Sequence, residues 1–251
     1  MKTTTIASPG IVYRLLFLLI PCLAACIADA QQLNTLTPEE RSGGWQLLFD
    51  GKDLKGWHSY LENKPGKAWQ IKDGAIFLNK NDKSVHDDYA DLTSDEEFDN
   101  FDLKMEWKME PCANSGLLFY VHEAPEYEET WNTGPEMQIT DLSCSPDSRI
   151  LMHRAGDLYD LVPADTEWVT EGGKWNQYEI LADHDHLQLF QNGHKVVDTY
   201  LWNDHWRELI AHCKFADMPN FGTFRKGHIA LQGTENGKLW FRNIKIKTLT
   251  K

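Results

Sequence analysis

Apolar and polar residues alternate without a break from Phe101 to Glu110, the pattern of a strand with one face on a core and one in water. A second alternating run, residues 134–141, puts Met137 and Ile139 on one face and Glu136, Gln138 and Thr140 on the other. Carboxylates and amides are costly to bury without partners. The polar face of this run is therefore expected to border solvent, a pocket or a satisfied polar network. Further strand patterns occupy residues 45–49, 69–71, 75–78, 178–181, 186–190 and 195–197. Asp73-Gly74 and Asn192-Gly193 fall between consecutive runs as hairpin turn pairs. Strand-like pieces also occur at 155–159, 173–176, 227–233 and 241–246. Short strands at this spacing, with no alternating long helices, predict an all-β sandwich.

Two short helices interrupt the pattern. Thr37 caps the first, Pro38 takes its first helical position, Glu40 completes a capping box, and Gly43-Gly44 ends it. In residues 202–215, Trp206, Leu209, Ile210 and Cys213 recur at helical spacing behind Asn203 as cap, which predicts a helix lying on the sandwich. The strongly acidic stretch 80–100 reads as a surface excursion.

A chain of 251 residues suits one domain plus a leader. Lys2 and Arg14 precede an apolar stretch, residues 15–25, too short to span a membrane. Leu23-Ala24-Ala25-Cys26 has the form of a lipobox, which would leave Cys26 as a lipidated N-terminus. Ala28-Asp29-Ala30 fits the alternative, soluble release at Gln31. The apolar run ends at Cys26 behind small residues, which favours the lipoprotein. The expected organisation is an export signal at 1–25, a polar tether with a short helix at 26–42, and one domain at 43–251. Such a protein is exported, periplasmic or on the outer membrane, and touches the membrane only through its lipid. Cys112, Cys144 and Cys213 lie beyond the leader without a CxxC knuckle, so free or buried thiols with at most one disulfide are expected. The net charge of −13, with no basic run, argues against a nucleic-acid partner.

Taken in order, the pieces containing Gly134-Pro135-Glu136-Met137-Gln138, Ala155-Gly156-Asp157-Leu158-Tyr159, Gly173-Lys174-Trp175-Asn176, residues 227–233 and residues 241–246 carry a resemblance, joined by Asn114-Ser115-Gly116. The chain resembles the bacterial 3-keto-disaccharide hydrolase family, once a domain of unknown function, across residues 43–249. The resemblance implies a concanavalin A-like jelly roll, whose two curved sheets offer a concave sugar-binding face. It also implies cleavage of 3-keto-glucosides by 1,2-elimination, with hydration of the resulting glycal. Many members read Leu-Gln-Asp-His-Gly where this chain has Leu231-Gln232-Gly233-Thr234-Glu235, so that Asp-His pair is absent here.

Elimination across C1–C2 of a 3-keto sugar needs a base for the acidified C2 proton and donors for the enolate oxygen. Glu136 is the leading base candidate, with Gln138 beside it as an orienting amide. Asp141 closes the same strand and serves equally well as a turn cap. Arg154 could polarise the ketone or form a rim ion pair, and Tyr159 could protonate the leaving oxygen or simply pack. Asp157, where the family pattern has a small residue, reads as solvated or as an extra ligand. His228 and Gln232 share a face if 227–233 is a strand. Gln232 is then a sugar contact, and His228 either replaces the missing histidine or packs at the rim, an ambiguity shared by His122 and His153. Trp131 offers a flat ring for a sugar. No organic cofactor motif occurs, and a divalent metal would suit these oxygen-rich groups although no spacing marks one. The competing reading is a non-catalytic carbohydrate-binding module on the same fold. An ordinary glycosidase would need two acids facing across a cleft, which Glu136 and Asp141 on one strand do not supply.

Overall fold

Both Asx-Gly pairs form the expected hairpin turns. Asp73 and Gly74 have φ of 52° and 71°, and Asn192 and Gly193 have φ of 50° and 80°, the left-handed pair that a type I′ turn requires. The computed structural model describes residues 1, 32–80, 82, 84, 90–170, 172–233 and 237–250. Residues 31–251 form one unit, separate from residues 1–30. Cys26, both candidate cleavage positions, Thr234 and Glu235 lie outside the described residues.

The strands are β1 (Trp45–Leu47), β2 (Trp57–Ser59), β3 (Trp69–Lys72), β4 (Ala75–Asn79), β5 (Leu92–Phe98), β6 (Phe101–Met109), β7 (Asn114–Val121), β8 (Glu136–Thr140), β9 (Asn176–Asp183), β10 (His186–Gln191), β11 (His194–Tyr200), β12 (Gly227–Leu231) and β13 (Lys238–Thr248). One sheet runs β11-β10-β9-β6-β13-β4-β3, with β1 also paired to β13; the other runs β2-β5-β12-β7-β8. Together they form the expected jelly-roll sandwich. Inward residues of β6, among them Phe101, Leu103, Met105 and Trp107, share one core with Leu117, Phe119, Met137 and Ile139 of the second sheet. The alternation of both sequence runs is thus realised.

Helix α1 (Pro38–Ser42) carries the full Thr37–Glu40 capping box. Helix α2 (Asp204–Ala211) starts where Asn203 accepts from the Trp206 amide, and buries Trp206 against the sandwich. Part of the segment read as a tether is docked. Asn34 and Asn243 exchange backbone-to-side-chain bonds of 2.6 and 2.8 Å, and Glu40 pairs with Lys245.

Three local readings change. Residues 92–98, within the supposed acidic excursion, form β5: its acidic positions Asp95 and Glu96 point to solvent while Leu92 and Phe98 are buried. The piece 155–159 is a loop, held to β8 by isolated bridging at Leu158. In 173–176 only Asn176 enters a strand, because Gly173 turns the chain with φ of 83°. A disulfide joins Cys112, just after β6, to Cys144 in the loop after β8, and Cys213 is unpaired.

Candidate active site

Strand β8 is the edge of its sheet, yet all five of its residues are buried. The loop at 154–162 explains this. Gln138 N donates to Asp157 O (3.0 Å), Gly156 N to Gln138 O (2.9 Å) and Tyr159 N to Glu136 O (2.9 Å), so a loop covers the edge that a strand would otherwise need. Asp157 secures this loop by accepting from the Arg154 and Ala164 amides at 2.6 and 2.7 Å. It is 2 % exposed, a structural anchor rather than a solvated or ligand-facing carboxylate.

With Met137 and Ile139 committed to the core, Glu136 and Gln138 face the concave side. Glu136 leans over Gly116 of β7, where a Cβ would sit 1.8 Å from Oε1. The glycine of Asn114-Ser115-Gly116 therefore makes the space that the carboxyl occupies. Glu136 is 6 % exposed. Burial pushes its pKa up to about 8; the Lys214 ammonium works against that shift, and the negative charges of Asp91 and Asp147 add to it.

A cleft of about 550 Å³ opens above Glu136. Gln138, Asn114 and Gln232 line it with amides, Trp131, Phe215 and Met218 supply its apolar surface, and Tyr159, Lys214 and Asp147 complete it. Five expected site residues are therefore together: Glu136, Gln138, Tyr159, Gln232 and Trp131. Asp91 holds two of these walls in register. It accepts from Thr130 Oγ1, beside Trp131, at 2.5 Å and from Gly233 N, beside Gln232, at 2.7 Å.

Three expected residues are elsewhere. Asp141 caps a turn, accepting from Cys112 N (2.6 Å) and Ser143 Oγ (2.7 Å), and these donors hold its carboxyl below the usual range despite partial burial. Arg154 spends its guanidinium on Glu167, with Nη2 donating to Oε2 at 2.7 Å. His228 is turned into a separate hollow beside Glu123 and Asn63, and its Nδ1 donates to Ser94 O at 2.7 Å. The pairing register of β12 shifts between His228 and Ala230. In β7 opposite, Tyr120 has φ of 55° and turns into the core beside Phe119. The alternation that would align His228 with Gln232 is broken there. His122 stacks on Phe224 at 4.1 Å.

The site also gathers Lys214 and Asp147, which sequence reasoning missed, together with Asn114, and brings His153, left ambiguous by the sequence, against Tyr159. Lys214 Nζ donates to Tyr159 Oη at 2.9 Å. His153 stacks on the Tyr159 ring (centroids 4.2 Å apart) and bonds Asp160 through Nε2 at 2.9 Å. Burial, reinforced by the negative charges of Asp147, Glu136 and Asp160, raises the Tyr159 phenol well above its ordinary range, so it is a protonated donor at neutral pH. Asp147 accepts from Asn114 Nδ2 at 3.0 Å and Gln138 Nε2 at 3.4 Å. Asn114 already stood out in the Asn-Ser-Gly run, whereas Asp147 sits in a short turn with no periodic signal, and Lys214 lies in the stretch read as helical but beyond the end of α2 at Ala211.

Among the described residues, Cys112, Asp141 and Cys144 are the one trio of metal-ligating side chains gathered within 4.8 Å, and the disulfide occupies both sulfurs. In the cleft, oxygens of Glu136, Asp147, Asn114 and Gln138 are of the type a hard divalent cation takes. Chemically, the cleft combines a buried proton-accepting carboxyl, a phenol held by an ammonium, amides suited to hydroxyls and an indole face.

Known proteins resemble this chain in sequence and in fold. A 3-keto-disaccharide hydrolase from Bacteroides thetaiotaomicron is 28% identical, the match covering 88% of this chain and 83% of that protein. The crystal structure of a candidate glycosyl hydrolase from Parabacteroides distasonis superposes with a TM-score of 0.78 at 28% identity, covering 87% of this chain and 100% of the other. A second such structure from the same organism, 24% identical, shares the fold with a TM-score of 0.61 over 82% of this chain and 99% of its own. Residues 44–247 match the 3-keto-α-glucoside-1,2-lyase-like domain, and the chain belongs to that family.

Proposed function

We propose that this protein cleaves 3-keto-glucosides, 3-keto-disaccharides among them, by removing the C2 proton and eliminating the group at C1. One observation carries the reading: a buried carboxyl with a raised pKa shares a cleft with a phenol held by an ammonium. In this reading Glu136, in its ionised form, takes the C2 proton that the neighbouring ketone acidifies. Lys214 and Gln232 supply N–H donors for the enolate oxygen at C3. As the enolate collapses, the C1–O bond breaks, a C1=C2 double bond forms, and Tyr159 protonates the departing oxygen. Trp131 stacks on a sugar face.

The test is incubation with a 3-keto-glucoside and with its parent glucoside. Release of the aglycone from the keto form alone is the expected result. Equal release from both would instead assign an ordinary two-carboxylate glycosidase, in which Asp147, lining the same cleft as Glu136, would be tested as the second acid. Binding without release would assign a carbohydrate-binding module, the alternative that the missing Asp-His pair favours.

We also propose that the protein is exported and anchored by lipid at Cys26. Cys26→Ser is expected to move it from the membrane fraction to soluble material. A soluble wild type would point to release after Ala30.

A further inference from the structure

The structure assigns Asp160, which lies behind the cleft, the part of positioning residue for Tyr159: its one carboxylate fastens both groups that hold the phenol ready to deliver a proton. This deepens the proposed elimination and rests on Tyr159 being its acid.

Two consecutive residues serve two different hollows. Tyr159 is fixed by its backbone N–H to Glu136 O of β8, and its side chain lines the cleft. Asp160 follows with φ of 57°, a left-handed conformation that Asp enters more readily than most residues. It borders a separate hollow of about 390 Å³ beside His205 and Leu209 of α2. Two neighbours hold the Tyr159 side chain. His153 stacks on the ring at 4.2 Å, and Lys214 Nζ lies 4.1 Å from the ring centroid while donating to Oη at 2.9 Å. Asp160 grips both of them. Its Oδ1 bonds His153 Nε2 at 2.9 Å, and its Oδ2 accepts from the Lys214 backbone N–H at 2.6 Å. Neither Asp160 nor His153 lines the cleft.

The grip on Lys214 has a chemical use. Lys214 is exposed, and such a side chain spreads over many rotamers unless its backbone is fixed close to its target. As Tyr159 gives up its proton, negative charge gathers on Oη, and an ammonium already in place stabilises it. An ammonium only donates, so Lys214 leaves the phenol its own proton to give. An alkoxide cannot depart without that proton, whereas a nitrophenolate can. Proton delivery therefore decides which aglycones are released, and Asp160 acts on that choice without touching the sugar.

The experiment measures turnover of a methyl and of a 4-nitrophenyl 3-keto-glucoside by wild type, Asp160→Ala and Tyr159→Phe. Both substrates share the step at C2, so the methyl-to-nitrophenyl ratio isolates proton delivery. Asp160→Ala is expected to lower that ratio roughly 10²-fold, the cost of a misplaced catalytic group. Tyr159→Phe should lower it at least as far, and adding Asp160→Ala to Tyr159→Phe should lower it no further. Asp160→Asn, which keeps an oxygen for Lys214 N and an amide for His153, should recover most of the ratio. If Asp160→Ala does not fold, Lys214→Met, at an exposed side chain, must lower the same ratio. A merely structural role for Asp160 would slow both substrates alike, and an unchanged ratio in Asp160→Ala or in Lys214→Met overturns the inference. A fall in Tyr159→Phe alone would leave the elimination reading standing. An unchanged ratio in Tyr159→Phe would take the acid role from Tyr159 itself, so the two failures are distinguishable.

Discussion

Glu136→Gln is expected to lower aglycone release from a 3-keto-glucoside by about 10²–10⁴-fold, the usual cost of removing a general base. Exchange of the C2 proton with deuterated water should fall alongside it, while KM changes little because the amide keeps the shape of the group. Exchange at the wild-type rate would remove Glu136 from the base role. The pH dependence carries the same signature. In the wild type, release should climb with pH as the carboxyl ionises and level off above about 8. A rate that instead falls above that pH would make Glu136 the acid.

Stability should move the opposite way. Burial lifts Glu136 from 4.5 to about 8 in the folded protein, so the folded state holds a proton that the unfolded chain releases. The contribution is full below 4.5 and is lost progressively as pH rises to about 8, at about 1.4 kcal/mol per pH unit. Glu136→Gln has no such proton to lose. Denaturant titrations at pH 5 and pH 8 should show a loss in the wild type that the variant lacks, on the order of a few kcal/mol.

Gly116→Ala should damage the site through space alone. The added Cβ would lie 1.8 Å from Glu136 Oε1 and 2.7 Å from Cγ, so the whole side chain must swing away from its seat on β7. A displacement of this size costs roughly 10²-fold in turnover. The carboxyl should also gain solvent, bringing the midpoint of the pH–rate profile below 8. Overpacking costs about 1–3 kcal/mol, a modest fall in melting temperature. Unchanged turnover with an unchanged midpoint would show that Glu136 does not depend on that seat.

Local chemistry was legible in the sequence. The Asx-Gly turns, the Thr37–Glu40 box, the Asn203 cap and the alternation that sends Met137 and Ile139 inward all act over a few residues, and all are present. The same alternation placed Glu136 and Gln138 on the face that bears the cleft. What escaped depends on distant partners. Lys214 reaches Tyr159 across 55 positions, and Asp147 meets Asn114 across 33. Arg154 was diverted by Glu167, and His228 by a register shift that no periodic count foresees. Strand β5 was hidden because its solvent-facing residues are carboxylates, the composition of a loop. Cysteine spacing could not choose among three thiols, a choice made by the approach of two loops.

The edge position of β8 separates two kinds of inheritance within one cleft. Glu136 is set by the register of a five-stranded sheet, which a single-residue slip would invert. Trp131, Phe215 and Met218, the apolar part of the wall, arrive on connecting segments whose lengths no ladder dictates. Insertions or deletions in those segments can redraw the wall against a new guest molecule while the proton-accepting group stays where it is. The fold thus lets the choice of guest drift independently of the reaction performed on it.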